Sequence, residues 1–222
     1  NLRAWAGAED LGQFHITSFR KAVSSAATTT SAWIDYSYFP GSPVANFYAS
    51  SPLEAAELET SRGIYVPTVA PKTQWLRNLK LMSAASAATS TTNGRQQIVL
   101  ADILLYYPFI DTDAVGEQQD MVNTAAIPRY TSGRVIAVGQ SASSTLGQFT
   151  FSYTNQDGVA GRTSQNHFTF VVAGGGQVVA SSVQSAASFH PYLALQAGDS
   201  GVKSIESVTF TAGGGGLMAL VI

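Results

Sequence analysis

Residues 148–153 read QFTFSY, which puts Phe149, Phe151 and Tyr153 on one side of an extended chain and Gln148, Thr150 and Ser152 on the other. Strict period two over six residues marks a half-buried strand, because a helix repeats its apolar face every three to four positions. Residues 166–172 (NHFTFVV) repeat the pattern through Phe168, Phe170 and Val172, and 202–211 (VKSIESVTFT) follow it less cleanly through Val208 and Phe210. Shorter candidate strands are 14–19, 32–38, 134–139, 177–183 and 217–222. Turn signals separate them: Asp157-Gly158, and the glycine clusters 174–176, 198–201 and 213–216. Many short strands spaced by Gly-rich turns specify an all-β fold, a β-sandwich or jelly-roll-like core.

The first half is less regular. Residues 39–52 (FPGSPVANFYASSP) hold three Pro and one Gly, and 84–94 (AASAATSTTNG) are small and polar, so both are expected to be surface loops or arms. One or two short helices are expected at most. Residues 52–60 (PLEAAELET) have Ser51 as a cap, Pro52 at the first position and acids in the first turn. Residues 74–88 suit a helix or a strand. Residues 98–107 (IVLADILLYY) are nearly all apolar and predict a strand buried on both faces. The organisation expected is one β-rich domain over 1–222, loop-rich over 1–130 and regularly stranded over 131–222; a split near residue 130 is the minority reading. TFVVAGGG at 169–176 and TFTAGGGG at 209–216 predict two similar hairpins in one sheet.

Composition narrows the function. Charged residues are 12%, about half the usual share, while 25 Ser and 20 Thr fill the surface with neutral polar groups. With 12 Lys and Arg spread thinly, no basic field is expected to hold nucleic acid. The absence of Cys excludes disulfides, a thiolate nucleophile and zinc–thiolate sites. No apolar run approaches the ~18 residues of a membrane span. The opening NLRAWAGAEDLGQF has no basic start and apolar core, so no secretion signal is expected in it.

Searches for chemistry end without a site. DTDAVGEQQD at 111–120 begins like a calcium loop, but Val115 and Val122 stand where oxygen ligands belong. A loose site on Asp111, Asp113 and Glu117 is the residual reading of that stretch. GQSAS at 139–143 carries Ser143 where a nucleophile elbow needs its second Gly. His15, His167 and His190 are expected to be structural or surface residues. Paired carboxylates for glycoside cleavage cannot be selected from 14 acids by spacing alone. Nine Tyr and three Trp suit sugar stacking as a minority reading, and β cores equally. No catalytic residue, cofactor or metal is expected.

Four segments carry a resemblance: 33–53 (WIDYSYFPGSPVANFYASSPL), 104–113 (LLYYPFIDTD) with Glu117-Gln118 after it, 127–133 (IPRYTSG) and 153–162 (YTNQDGVAGR). In order and wording they are similar to segments of structural proteins of tailed bacteriophages. The resemblance spans roughly residues 30–165, and it implies a virion component rather than an enzyme. The expectation built on it is a capsid cement or decoration protein on the outer capsid surface, assembled in the host bacterial cytoplasm. Its partners would be the major capsid protein and itself, as a homo-dimer or homo-trimer, with no nucleic acid and no membrane. A tail, neck or baseplate component, or an adhesin binding host glycan, is the alternative. Tyr36, Tyr38, Phe39, Pro40, Pro43, Phe47, Tyr48, Tyr106, Tyr107 and Phe109 are the candidate interface; their other reading is that they pack on the protein's own core. The 39–52 arm is expected to be dispensable for folding.

Overall fold

The computed structural model describes residues 16–22, 33–64, 75, 78–79, 98–169, 174–178, 180–181 and 191–222. The chain divides into two compact units, 1–65 with 103–222, and 66–102. Within the second, the described residues 75, 78–79 and 98–102 have no regular secondary structure, and Trp75, Leu79 and Ile98 to Leu100 are exposed.

The described strands are β1 (Arg20–Lys21), β2 (Gly41–Ser42), β3 (Tyr106–Asp111), β4 (Gln118–Asp120), β5 (Ile136–Gly139), β6 (Gln148–Asn155), β7 (Arg162–Thr163), β8 (His167–Thr169), β9 (Ala180–Ser181), β10 (Val202–Ala212) and β11 (Leu217–Val221). The fold is all-β; among the described residues the only helical elements are two 3₁₀ turns, Tyr36–Tyr38 and Thr60–Arg62. One sheet runs β4-β10-β6-β8-β9, with β7 also beside β6; a second runs β3-β11-β5; β1 and β2 pair separately. Among the described residues every pairing between these strands is antiparallel, and a single parallel bridge joins Val115 to Phe210.

The main core lies between the two larger sheets. Phe149, Phe151 and Tyr153 of β6 and Ile205, Val208 and Phe210 of β10 meet Tyr107 and Ile110 of β3 and Met218 and Leu220 of β11. Full burial of each such side chain contributes about 1.5–3 kcal/mol, which offsets the ordering of the strands. The untidy alternation of β10 has a cause. Its register against β6 shifts between Val202 and Ser204, Ile205 and Ser207, and Phe210 and Ala212. Each bulge inserts a residue and resets which face points inward. At one of them the buried Tyr107 hydroxyl accepts the Ile205 N–H at 3.1 Å.

The three-stranded sheet is buried on both faces. Along β11, Met218 and Leu220 enter the main core while Ala219 and Val221 join Tyr48, Tyr106 and Val138 in a second cluster on the opposite face. This accounts for the unbroken apolar run LMALVI.

Several expectations are corrected. Residues 52–60 form no helix: Leu53 has φ 58°, and Ala56 exchanges backbone hydrogen bonds with Tyr106 (3.0 and 2.9 Å) in place of helical ones. The strand expected over 98–107 starts only at Tyr106 and runs to Asp111, and Ile98 to Leu100 are exposed. Of the strands expected at 14–19 and 32–38, the described residues 16–19 and 35–38 are not strand, and at 36–38 the chain makes a 3₁₀ turn capped by the Asp35 side chain; residues 14–15 and 32 lie outside the described residues. The two glycine echoes are not equivalent hairpins. The first lies between the paired strands β8 and β9; the second carries the chain from β10 across to β11 in the other sheet. The core draws on residues from both sides of position 130. The helix-or-strand question over 74–88 falls almost wholly outside the described residues.

Candidate interaction surface

Residues 33–64 form the covering layer of the three-stranded sheet, and their anchoring is polar as well as apolar. Asp35 accepts from Ser37 N (2.8 Å) and Ser37 Oγ (2.9 Å), and its second oxygen also accepts from the Tyr48 hydroxyl. Burial, reinforced by the Asp35 charge, holds the Tyr48 phenol well above its ordinary range, so it stays a donor. The Gln140 amide clamps the layer to the sheet: Oε1 accepts from Phe109 N at 2.6 Å, and Nε2 donates to the carbonyls of Phe47 (3.1 Å) and Tyr48 (3.3 Å). Phe109 has φ 57° inside β3, so its N–H leaves the ladder and Gln140 receives it. Lys21 Nζ donates to Pro43 O at 2.6 Å and to Ser37 O and Val44 O at 3.3 Å. Burial lowers its pKa, and the Asp35 charge opposes that shift.

The aromatic rings form a chain. Tyr38 meets Phe47 edge-on at 5.2 Å and Phe39 at 6.2 Å, and Tyr48 meets Tyr106 edge-on at 5.3 Å. The turn at 174–176 is shaped to receive them: a Cβ on Gly175 would fall 2.3 Å from the Tyr38 hydroxyl, and Gly176 has φ +87°. Of the ten candidate interface residues, Phe39, Tyr48, Tyr106 and Tyr107 are buried in the chain's own interior. Tyr107 fills the main core, and Tyr48 and Tyr106 the second cluster, which is the other reading given for these residues. Tyr38, Pro43 and Phe109 are half-buried. Tyr36 (36% exposed), Pro40 and Phe47 (51%) face outward, with Val44 (52%), which the sequence did not single out. The arm is therefore not a free extension, and removing 39–52 would uncover Tyr106, Val138, Ala219 and Val221.

Beside this layer lies a cleft of about 60 Å³, lined by Asn46, Phe47, Ala49, Leu58, Glu59, Arg62 and Tyr106. Arg62 Nη1 donates to Ala45 O at 2.8 Å and its Nε pairs with Glu59 at 3.3 Å. Asn46 is buried; its Oδ1 accepts the Tyr48 N–H at 3.2 Å, and its Nδ2, near the Tyr48 phenol oxygen, makes no hydrogen bond of good geometry. Sequence reasoning missed Asn46, Glu59, Arg62, Gln140 and Lys21. The one available signal was Asn46, a polar residue inside the otherwise apolar VANFY.

The other stretches that suggested chemistry serve the fold. Asp111 Oδ1 accepts from Asp113 N (2.8 Å), and Asp113 Oδ1 accepts from Gly215 N (2.9 Å), tying the acidic loop to the β10–β11 connection. Among the described residues no three His, Cys, Asp or Glu side chains converge as a metal site. Ser141 Oγ accepts the Leu217 N–H at 2.8 Å, and Ser143 Oγ donates to the Gly214 carbonyl. His167 is fully buried beside Phe149 and Phe151, while His15 and His190 lie outside the described residues. At one end of the larger sheet the Asp199 carboxylate accepts from Tyr153 Oη (2.6 Å), Arg162 Nε (2.9 Å) and Asn155 Nδ2 (2.9 Å). Hydrogen bonds from Arg162 and Tyr153 hold the Asp199 carboxyl down at about 2, and burial pushes the Tyr153 phenol up to about 12. Among the described residues no helix is long and apolar enough to cross a membrane.

Comparison with known proteins finds no matching family model, no matching curated protein and no matching solved structure.

Proposed function

We propose that this chain is a non-enzymatic structural protein of a tailed-phage virion, and that it acts on the capsid as a cement or decoration protein bridging major capsid subunits. The reading is carried by the order and wording of the segments 33–53, 104–113, 127–133 and 153–162, which we read as resembling segments of such proteins. In this fold they are working parts of one body. The first covers the three-stranded sheet and the second supplies β3. The third bonds to β10 through Ile127 N to Lys203 O and Gly133 N to Val202 O, and the fourth supplies three residues around Asp199.

The mechanism is binding alone. A neutral Ser- and Thr-rich surface associates without desolvating many charges, and the outward-facing Tyr36, Pro40, Val44 and Phe47 supply apolar anchors. Weak contacts repeated at symmetry-related sites would add up to a large stabilisation of the shell.

Quantitative gel densitometry of purified virions against the major capsid protein tests the reading. Hundreds of copies are expected. A handful would move the protein to the tail, neck or baseplate and overturn the capsid assignment. With binding to shells in hand, Tyr36→Ala combined with Val44→Asp should lower occupancy while leaving the circular dichroism spectrum unchanged.

A further inference from the structure

The cleft beside the 33–64 layer has a donor and acceptor set that the fold leaves only partly used. Asn46 is 4% exposed, and its amide nitrogen, with the Tyr48 phenol oxygen beside it, makes no hydrogen bond of good geometry. A buried amide that loses its water without gaining a well-formed bond is destabilising, so such a group in a native interior calls for an explanation. Its orientation is set, because Oδ1 is held by the Tyr48 N–H. Burial raises the Tyr106 pKa against a hydrogen bond with Ser50, and Glu59 and Arg62 are near enough to perturb its phenol in opposite directions. Glu59 and Arg62 make an exposed pair at 3.3 Å, and the Phe47 ring is half free. The charges at the rim cancel. An anionic ligand would face Glu59 and a cationic one Arg62. A neutral group that both donates and accepts suits the set without a charge left over.

We propose that this cleft is a saccharide subsite, in which adjacent hydroxyls of a neutral hexopyranose enter between Asn46, Glu59 and Arg62 while a C–H face of the ring lies on Phe47. Hydroxyls accept from the Asn46 amide and the Arg62 guanidinium and donate to the Glu59 carboxylate. The volume of about 60 Å³ admits one edge of a sugar ring, with the rest outside against the aromatic wall. The amide nitrogen is buried, so a hydroxyl reaches it only when side chains lining the cleft move aside. The inference does not rest on the virion reading, since a cement protein and an adhesin could both carry such a site.

The test is a ¹H–¹⁵N titration of the full chain with glucose, galactose, mannose and N-acetylglucosamine at millimolar concentrations, with acetamide run in parallel. At least one sugar should shift the Asn46 side-chain amide and the Arg62 Nε–H saturably. Phe47→Ala and Glu59→Ala, both at exposed positions, should each weaken that binding roughly tenfold, about 1.4 kcal/mol, while the remaining spectrum stays superimposable. The proposal fails if no sugar moves these resonances, if both variants bind as the parent does, or if acetamide moves them and the sugars do not. The last result would mark the cleft as a receptor for a carboxamide side chain.

Discussion

Replacing His167 by Leu should remove most of an acid-dependent loss of stability. The imidazole is fully buried, its centroid 5.4 Å from that of Phe149 and 5.7 Å from that of Phe151, and neither ring nitrogen makes a hydrogen bond of good geometry. Burial drives its pKa from 6.5 down to about 4, opposed by the Ala194 carbonyl. Between those values the unfolded chain binds the proton and the folded chain does not, so stability falls as pH falls. Below about pH 4 the full penalty is about 3 kcal/mol, and at pH 5 linkage leaves about 2 kcal/mol. Urea denaturation at pH 7 and pH 5 reads this directly. Wild type should lose about 2 kcal/mol more than His167→Leu between the two conditions. Taking the difference of differences cancels the other histidines and any constant cost of the substitution. Asp199, held at about 2, titrates below this window. Equal losses in wild type and variant would refute the reasoning, as would a His167 ring resonance titrating near 6.5.

Four further outcomes follow from the same structure. Tyr48→Ala should destabilise by about 3–5 kcal/mol in chemical denaturation, because it empties the second core and removes the hydroxyl that bonds Asp35; deletion of 39–52 should abolish cooperative unfolding. Gly147→Ala should cost about 1–3 kcal/mol, since its Cβ would sit 2.9 Å from both Ala212 O and Gly214 N, which are backbone atoms that cannot rotate away. Tyr153→Phe should lower stability by about 1–3 kcal/mol at pH 7, because the hydroxyl joins Asp199 to Gln196 N at 2.6 and 2.9 Å. The thermal midpoint of each variant against wild type checks these values.

The regular part of the fold was legible where burial was one-sided. Residues 148–153 show alternation because β6 keeps one face on the core and one on solvent. Residues 202–211 showed it poorly because three bulges interrupt the period, and no local rule places a bulge. The helix expected at 52–60 had a sound cap and first turn, yet pairing of Ala56 with Tyr106, fifty residues away, outweighs so short a helix. The candidate surface was legible as a set of aromatic residues, but not in its orientation. Tyr48 and Phe47 are adjacent and chemically alike; one is fully buried and the other half exposed.

Sequence alone determined the all-β class, most of the strands and the turns between them, because period two and glycine turns are local properties of the chain. Only the tertiary structure decided that residues 33–64 complete the core instead of standing free. It also decided that LMALVI is covered on both faces, and that Asn46, Glu59 and Arg62 border one cleft. An apolar run records that a residue is buried but not what buries it, and that partner is set by contacts between residues far apart in the chain, such as Gln140 on Phe47, 93 residues away, and Ile205 on Tyr107, 98 residues away.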